Sequence, residues 1–485
     1  GHAALASAEL TVPALVSGDA AARAAASEAK KGLQHMWARA YARPDLYQRL
    51  AAAQDGARTD EERRLASVVL ARFQQAGAHL ESDEVRTEVS SLDARCASLA
   101  FEIEQNINED CASVVFRDEE LEGCDPGFVQ ALPRTDAAPD AGAAAARRCS
   151  VKAPVMLPIM RRAARGETRR RMQEASQRQC MEQNGPLLAE LVEKRHEAAR
   201  RMGFSSHAER MLSTKMAGSV KCARSFCEDM LRRLAPLRDA ELARLRARKA
   251  RDAAEGQAAK RRRGEADAGA GAVEEFMPWD LAFYTDLLKR EELSLDDEKL
   301  KEKYASEPAL LRRVAAPGAG GGEAPALEQG TIERIQSLDK FMVGTSQSRY
   351  FAMALFDLLL HSGTPPYELS GAAGLSIEGL YARCLAAHTT MEPIPGTHPC
   401  ASWYHLVIGY DAGYYGYGWS DVYAADVFQA MLDSKAGILS PETGALLRDE
   451  ILGPCATRSG GDMLRAFLGR APSAEAWCRR NGVPA

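Results

Sequence analysis

The run His405-Leu406-Val407-Ile408-Gly409-Tyr410-Asp411-Ala412-Gly413-Tyr414-Tyr415-Gly416-Tyr417-Gly418-Trp419-Ser420-Asp421-Val422-Tyr423-Ala424-Ala425-Asp426-Val427-Phe428 sets one histidine ahead of a cluster of tyrosines, with small residues between them. Tyr410, Tyr414 and Tyr417 are spaced i, i+4, i+7, which puts them on one face if the segment is helical. Gly409, Gly413, Gly416 and Gly418 argue against helix throughout, since each costs about 1 kcal/mol relative to alanine. The pattern therefore predicts a loop running into a helix, with phenol groups left open by small neighbours. Two readings of the tyrosines stand side by side. One is an aromatic stripe packed in a core. The other is a row of hydroxyl donors facing a bound molecule, as in a site that stabilises an oxyanion.

Outward from this stretch the chain reads as helix almost throughout, and the expected fold class is all-α. Ala, Leu, Arg, Glu and Gln dominate, and strand-like alternation of β-branched residues is nearly absent. Glu28 to Gln75 is amphipathic and broken near Pro44. Glu84 to Asn108 carries Val85, Val89, Leu92, Cys96, Leu99 and Ile103 at spacings of three and four. Residues 134–148 are rich in Ala, Asp and Pro and read as a surface loop. Lys215 to Lys260 reads as a long charged helix with Leu231, Leu234, Leu242 and Leu245 on its apolar side, kinked or interrupted at Pro236. Ala315 to Pro325 is a Gly/Ala/Pro-rich linker. No repeat of fixed period supports a solenoid.

Composition removes several function classes. A net charge of −5, from 62 basic and 67 acidic residues, argues against a nucleic-acid partner recruited by bulk charge. No apolar run approaches the roughly 20 residues that span a bilayer, so no membrane partner is expected. The 11 cysteines are scattered, odd in number and without a C-x-x-C pair. That pattern suggests neither a disulfide framework nor a thiolate zinc site, and a reducing, cytoplasmic setting fits it. The start at Gly1 leaves room for a missing transit peptide and a mitochondrial location.

The His405–Phe428 run resembles the C-terminal signature of the thimet oligopeptidase and neurolysin family of zinc metallopeptidases. There a histidine leads G-Y-D-A-x-Y-Y-G-Y and then W-S-E-V; here the runs are Gly409–Tyr417 and Trp419-Ser420-Asp421-Val422. Val407 and Ile408 stand where the family has small residues, and Gly418 stands for a leucine. Further stretches resemble the same family: Asp45–Leu50, Phe101–Asp110, Glu120–Gly123, Glu167-Thr168-Arg169-Arg170, Arg201–Phe204, Pro278–Tyr284, Leu300–Tyr304, Glu333–His361, Asp449–Pro454 and Met463–Arg470. The resemblance implies two helical lobes flanking a deep channel, cleavage of short peptides, a zinc cofactor and a monomer. It implies a catalytic role for Tyr417, as donor to the developing oxyanion, and for His405. It implies substrate binding by His405, Tyr410 and Tyr414. Tyr415 and Trp419 are expected to pack.

The family's zinc segment has no counterpart here. Two histidines at i and i+4 share a helix face and hold the metal, while the glutamate of H-E-x-x-H activates a water. Of the nine histidines, His2, His35, His79, His196, His207, His361, His388, His398 and His405, none begins that motif. His196-Glu197 opens H-E-A-A-R, which reads as a solvated helix face, so no metal ligands are assigned. After Tyr304 the chain continues with a stretch that resembles a region well beyond the zinc helices. The implied organisation is an N-terminal helical region over 1–148 and a remnant of the catalytic domain over 149–485. A deletion junction and flexible linker lie at 305–330. Two accounts of the junction stand: a wrongly joined message of an active peptidase, or a metal-free, catalytically dead peptide-binding relative. On either account the chain as given is expected not to hydrolyse peptides, and apolar surface is expected to be exposed where the missing segment packs.

Overall fold

The computed structural model describes residue 12 and residues 17–135, 146–262, 275–293, 337–338, 340–369, 371–389 and 392–484. The junction and linker at 305–330 lie outside these residues. Helices α1 (Ala20–Tyr41), α2 (Pro44–Gln54) and α3 (Asp60–Gln75) open the fold. The break before Pro44 is where the sequence puts it; a second falls at 55–59. It ends in a capping box, with Thr59 Oγ1 accepting from the Glu62 amide at 3.1 Å and the Thr59 amide donating to Glu62 Oε2 at 3.2 Å. Helix α4 (Asp83–Glu109) starts at Ser82, whose hydroxyl caps the Val85 amide.

Strands β1 (Ser113–Arg117), β2 (Arg134–Thr135) and β3 (Ala146–Ser150) follow, with a short helix α5 (Pro126–Ala131) between the first two. They form an antiparallel sheet in the order β1-β3-β2, with Val115 opposite Arg148 and Thr135 opposite Ala146. This corrects the surface loop expected over 134–148; residues 136–145 of it lie outside the described ones. The strands escape sequence reading because they are short and because β3 faces Arg147 into the interior. Arg147 is buried against Asp118 at 2.8 Å, so the inward face does not read as apolar. The division expected between 148 and 149 falls inside β3.

The chain continues through α6 (Ala153–Arg162), α7 (Gly166–Gln177), α8 (Met181–Arg201), α9 (His207–Leu212) and α10 (Val220–Arg262). Helix α10 has 43 residues and runs through Pro236, so the expected interruption does not occur. A proline removes one ladder bond. Leu231 and Leu234 before it, and Leu242 and Leu245 after it, are buried, and this packing holds the helix across the gap. After α11 (Leu281–Leu293) comes α12 (Val343–Leu360), apolar on nearly all sides and laid along α10. The remainder is the hairpin β4 (Tyr367–Leu369)–β5 (Ala372–Leu375), α13 (Ile377–Thr389), α14 (Gly416–Leu432), α15 (Pro441–Leu447), α16 (Gly460–Leu468) and α17 (Glu475–Asn481). Among the described residues the fold is all-α with two small sheets.

One continuous core joins α4, α8, α10, α12, α13 and α14 through residues such as Leu99, Leu191, Met230, Phe351, Leu380 and Val422. A second, smaller core covers the sheet with α6 and α7. Two of the family-like stretches meet at the edge of a cleft: Arg169 of α7 pairs with Asp280 at 2.7 Å, and Lys249 of α10 reaches the other oxygen of Asp280 at 2.8 Å. The cleft lies between α6, α7 and α11 on one side and α12 and α13 on the other. It holds adjoining cavities of about 260 Å³ and about 600 Å³.

Candidate functional site

The tyrosine stretch folds as a loop that becomes a helix at Gly416, and the four residues expected at a site converge there. The His405 ring lies 5.5 Å from Tyr410, 5.0 Å from Tyr414 and 6.0 Å from Tyr417, centroid to centroid. Tyr410 and Tyr417 stack nearly parallel at 5.3 Å, and they keep 39% and 45% of their surface open to solvent. Tyr414 is half-buried, with Trp403 edge-on at 4.8 Å. Tyr415 is buried, and Trp419 packs on Phe226 and Tyr423; both pack, as expected. Only Tyr417 of the triad lies inside α14, so their common face is made by the folded loop and not by a helical period.

The loop is held from below by buried charge. Asp357 stands fully buried in the apolar helix α12, and its carboxylate accepts the amides of Ala412 at 2.9 Å and Tyr414 at 3.0 Å. Ala412 sits at φ +53°, a left-handed conformation that costs an alanine about 1 kcal/mol, and the bond from Asp357 holds it there. His361 Nδ1 lies 3.0 Å from Asp357. His361 Nε2 faces the Arg195 guanidinium at 3.1 Å; a guanidinium only donates, so Nε2 accepts and the proton is assigned to Nδ1. Arg195 also donates to the Leu406 carbonyl at 2.8 Å and pairs with Asp411 at 3.4 Å, and Asp411 meets His207 Nε2 at 2.6 Å.

Burial lowers His207 to about 4 against the pull of Asp411, so at neutral pH the ring is neutral. Burial alone would raise Asp411, but the Arg195 charge and the His207 bond override it and hold the carboxyl well below the usual range. From above, the Tyr350 hydroxyl donates to the Tyr414 carbonyl at 2.7 Å and accepts from the Gly418 amide at 2.7 Å. Gly418 is required there: a Cβ would stand 2.6 Å from Tyr350 and 2.7 Å from Phe351.

These settings define what the ring cluster can do. Hydrogen bonding with Tyr410 keeps the exposed Tyr417 phenol neutral up to about 12, so it is a donor at physiological pH. Burial lowers His405 and raises Tyr414. Trp403 ties the cluster to the cleft, since it touches Tyr414 and also lines the smaller cavity with Tyr381 and Arg349. The 399–404 segment is fixed by the Phe101–Asp110 stretch: Tyr404 bonds Glu104 at 2.7 Å, and Asn106 reaches the Ala401 carbonyl through Asn184, both steps at 2.8 Å. Sequence reading missed Asp357, His361, Arg195, His207 and Tyr350. The available signal was an acid and a histidine, i and i+4, in an otherwise apolar helix.

No group of three or more His, Cys, Asp or Glu side chains able to hold a metal occurs among the described residues. His196 is pushed down by burial and Glu197 pairs with Lys194 at 3.1 Å, as on an ordinary helix face.

A profile described as Peptidase family M3 matches residues 159–313 and 321–483. The thimet-like oligopeptidase of Dictyostelium discoideum is 31% identical over 153 residues, 31% of this chain and 21% of that protein. Oligopeptidase A of Salmonella typhimurium is 30% identical over 165 residues, 32% of this chain and 22% of that protein. Saccharolysin of Saccharomyces cerevisiae is 24% identical over 232 residues, 48% of this chain and 31% of that protein. The chain thus spans less than a third of the length of these curated relatives. With more than half of its residues inside the family match, and with the tyrosine loop folded around its histidine, the chain belongs to peptidase family M3.

Proposed function

We propose that this chain carries the substrate-side half of an M3 oligopeptidase: it binds short peptides along the cleft beside Trp403 and the His405–Tyr417 cluster, and as given it does not hydrolyse them. The observation that supports binding is the convergence of His405, Tyr410, Tyr414 and Tyr417, anchored from below by Asp357 and Arg195. Tyr417 is the donor for a carbonyl or oxyanion of the peptide, with Tyr410 beside it. Tyr414 and His405 shape the wall. The support for inactivity is the sequence without H-E-x-x-H; among the described residues no other group of metal-binding side chains stands in for it. The partner class is a short peptide, not nucleic acid or membrane; the state is a monomer and the compartment a reducing one, in line with eleven free thiols.

The test is a labelled hexapeptide incubated with the purified chain, with added zinc or with chelator. Binding without chelator-sensitive cleavage is expected, and less than one zinc per ten chains. Stoichiometric zinc with chelator-sensitive cleavage overturns the inactivity; no binding overturns the peptide reading. A second reading is favoured by the intact ring cluster: a longer product of the same gene supplies a zinc helix and is the active enzyme. Reading transcripts across the codons for Tyr304 to Glu307 tests it; a single message with the present join excludes it.

A further inference from the structure

Arg349 lines the cleft, and among the described residues it has no ion-pair partner. Arg349, on the second turn of α12, lines both cavities, and its neighbours there are the neutral Gln173, Ser176, Gln177 and Thr345. Elsewhere the fold pairs buried arginines: Arg169 with Asp280 at 2.7 Å, Arg248 with Glu291 at 2.8 Å, Arg195 with Asp411 at 3.4 Å. Among the described residues no carboxylate lies within ion-pair distance of Arg349. The acids of the cleft do not supply one. Asp286 is committed to Arg162 at 3.2 Å and Arg290 at 2.9 Å. Glu392 lines the smaller cavity without pairing with Arg349. Arg161 and Lys289 add further positive charge to the wall of the larger cavity. Arg349 is also close enough to the ring cluster for its charge to act on Tyr414 and Tyr381, opposing the upward push of burial on both phenols.

A guanidinium presents a planar fork that matches a carboxylate with two parallel hydrogen bonds. In a cleft that excludes part of the solvent, that pairing is stronger than on an open surface. We propose that Arg349 is a carboxylate-binding subsite that receives an acidic group of a peptide lying in the cleft beside Trp403 and Tyr414. The group is a peptide's C-terminal carboxylate or an Asp or Glu side chain. This specificity rests on the peptide-binding reading above. It makes the cleft selective for an anionic end or residue, while the tyrosines act on the peptide's neutral backbone.

The experiment uses the purified chain and three fluorescein-labelled hexapeptides read by anisotropy: one with a free C-terminal carboxylate, its C-terminal amide, and the same amide with Glu in place of the last Gln. Loss of a charge-assisted pair corresponds to roughly tenfold in affinity, so the free acid is expected to bind about tenfold tighter than the amide. If the Glu-bearing amide regains the affinity, side-chain carboxylates are accepted as well; if it does not, the terminal carboxylate is the ligand. In Arg349→Gln the preference is lost while the amide binds as before, and Arg349→Lys retains part of it. Thermal melts of both variants check that the exposed substitution leaves the fold intact. Equal affinity of all three peptides for the unsubstituted chain overturns the proposal, as does a preference that survives Arg349→Gln. Failure of every peptide to bind overturns it together with the peptide reading, whereas binding indifferent to charge overturns the carboxylate subsite alone.

Discussion

At neutral pH the Tyr417 phenol is a proton donor held in place by a second phenol stacked on it. Hydrogen bonding with Tyr410 pushes its pKa up from 10 to about 12. In Tyr410→Phe that bond is gone, so Tyr417 is expected to ionise nearer 10. Spectrophotometric titration, with Tyr417→Phe as the reference for assignment, reads the shift; an unchanged curve in Tyr410→Phe refutes the coupling. Asp357 holds the tyrosine loop from within the core. An Asn there keeps one acceptor oxygen and brings a donor face to face with the amides of Ala412 and Tyr414. Asp357→Asn is expected to cost about 2–3 kcal/mol by urea unfolding, the range for leaving buried donors unpaired, and to weaken peptide binding roughly tenfold, which corresponds to about 1.4 kcal/mol. Native stability in Asp357→Asn would show that the loop holds itself.

Between elements, the contact of α10 with α12 positions everything above it. It is close because residue 344 is glycine: a Cβ there would stand 2.5 Å from the Arg238 amide nitrogen and 2.8 Å from the Leu237 carbonyl carbon. Both are backbone atoms, so the helices themselves have to separate. The same turn is capped across the interface by Glu241, whose carboxylate accepts the amides of Gly344 at 3.0 Å and Thr345 at 2.7 Å. Gly344→Ala is therefore expected to destabilise by about 2–3 kcal/mol despite the better helix propensity of alanine, an overpacking cost. A neutral or stabilising outcome in denaturant melts would mean the two helices slide apart freely. Arg349 sits further along α12, so Gly344→Ala is expected to disturb the cleft as well.

Over the whole molecule, pH dependence follows from the buried charge beneath the loop. The folded His207 titrates near 4 against 6.5 in an unfolded chain. The unfolded state thus takes up the proton first as pH falls, and stability is complete above about 6.5 and declines through about 4. Asp411, held low in the fold, acts in the same direction at still lower pH. The His207 share is at most about 3 kcal/mol. Melts between pH 7 and pH 4.5 are expected to show the fall, and His207→Gln to flatten it; an unaltered slope in that variant assigns the acid lability elsewhere. In the C-terminal region Phe428, Leu432, Leu439 and Leu452 are exposed, and Phe428 lines a groove of about 470 Å³ with Met431, Ile451 and Leu464.

Much of the architecture is legible in the sequence. Strong helix formers at regular spacing announced α4 and α10, and glycines between tyrosines announced the loop that enters α14. Local chemistry suffices for both, because helix propensity and glycine's freedom act within a few residues. The short strands, the continuity of α10 through Pro236 and the gathering of His405 with three tyrosines were decided by tertiary structure. Each depends on partners far along the chain: Asp118 for Arg147, α12 for α10, Asp357 and Arg195 for the loop. Spacing in sequence puts Tyr410, Tyr414 and Tyr417 on one face only if the segment is helical, and its glycines argue for a loop. The fold put them together by a different route, through the buried Asp357 carboxylate, whose bonds to the Ala412 and Tyr414 amides leave no periodic trace.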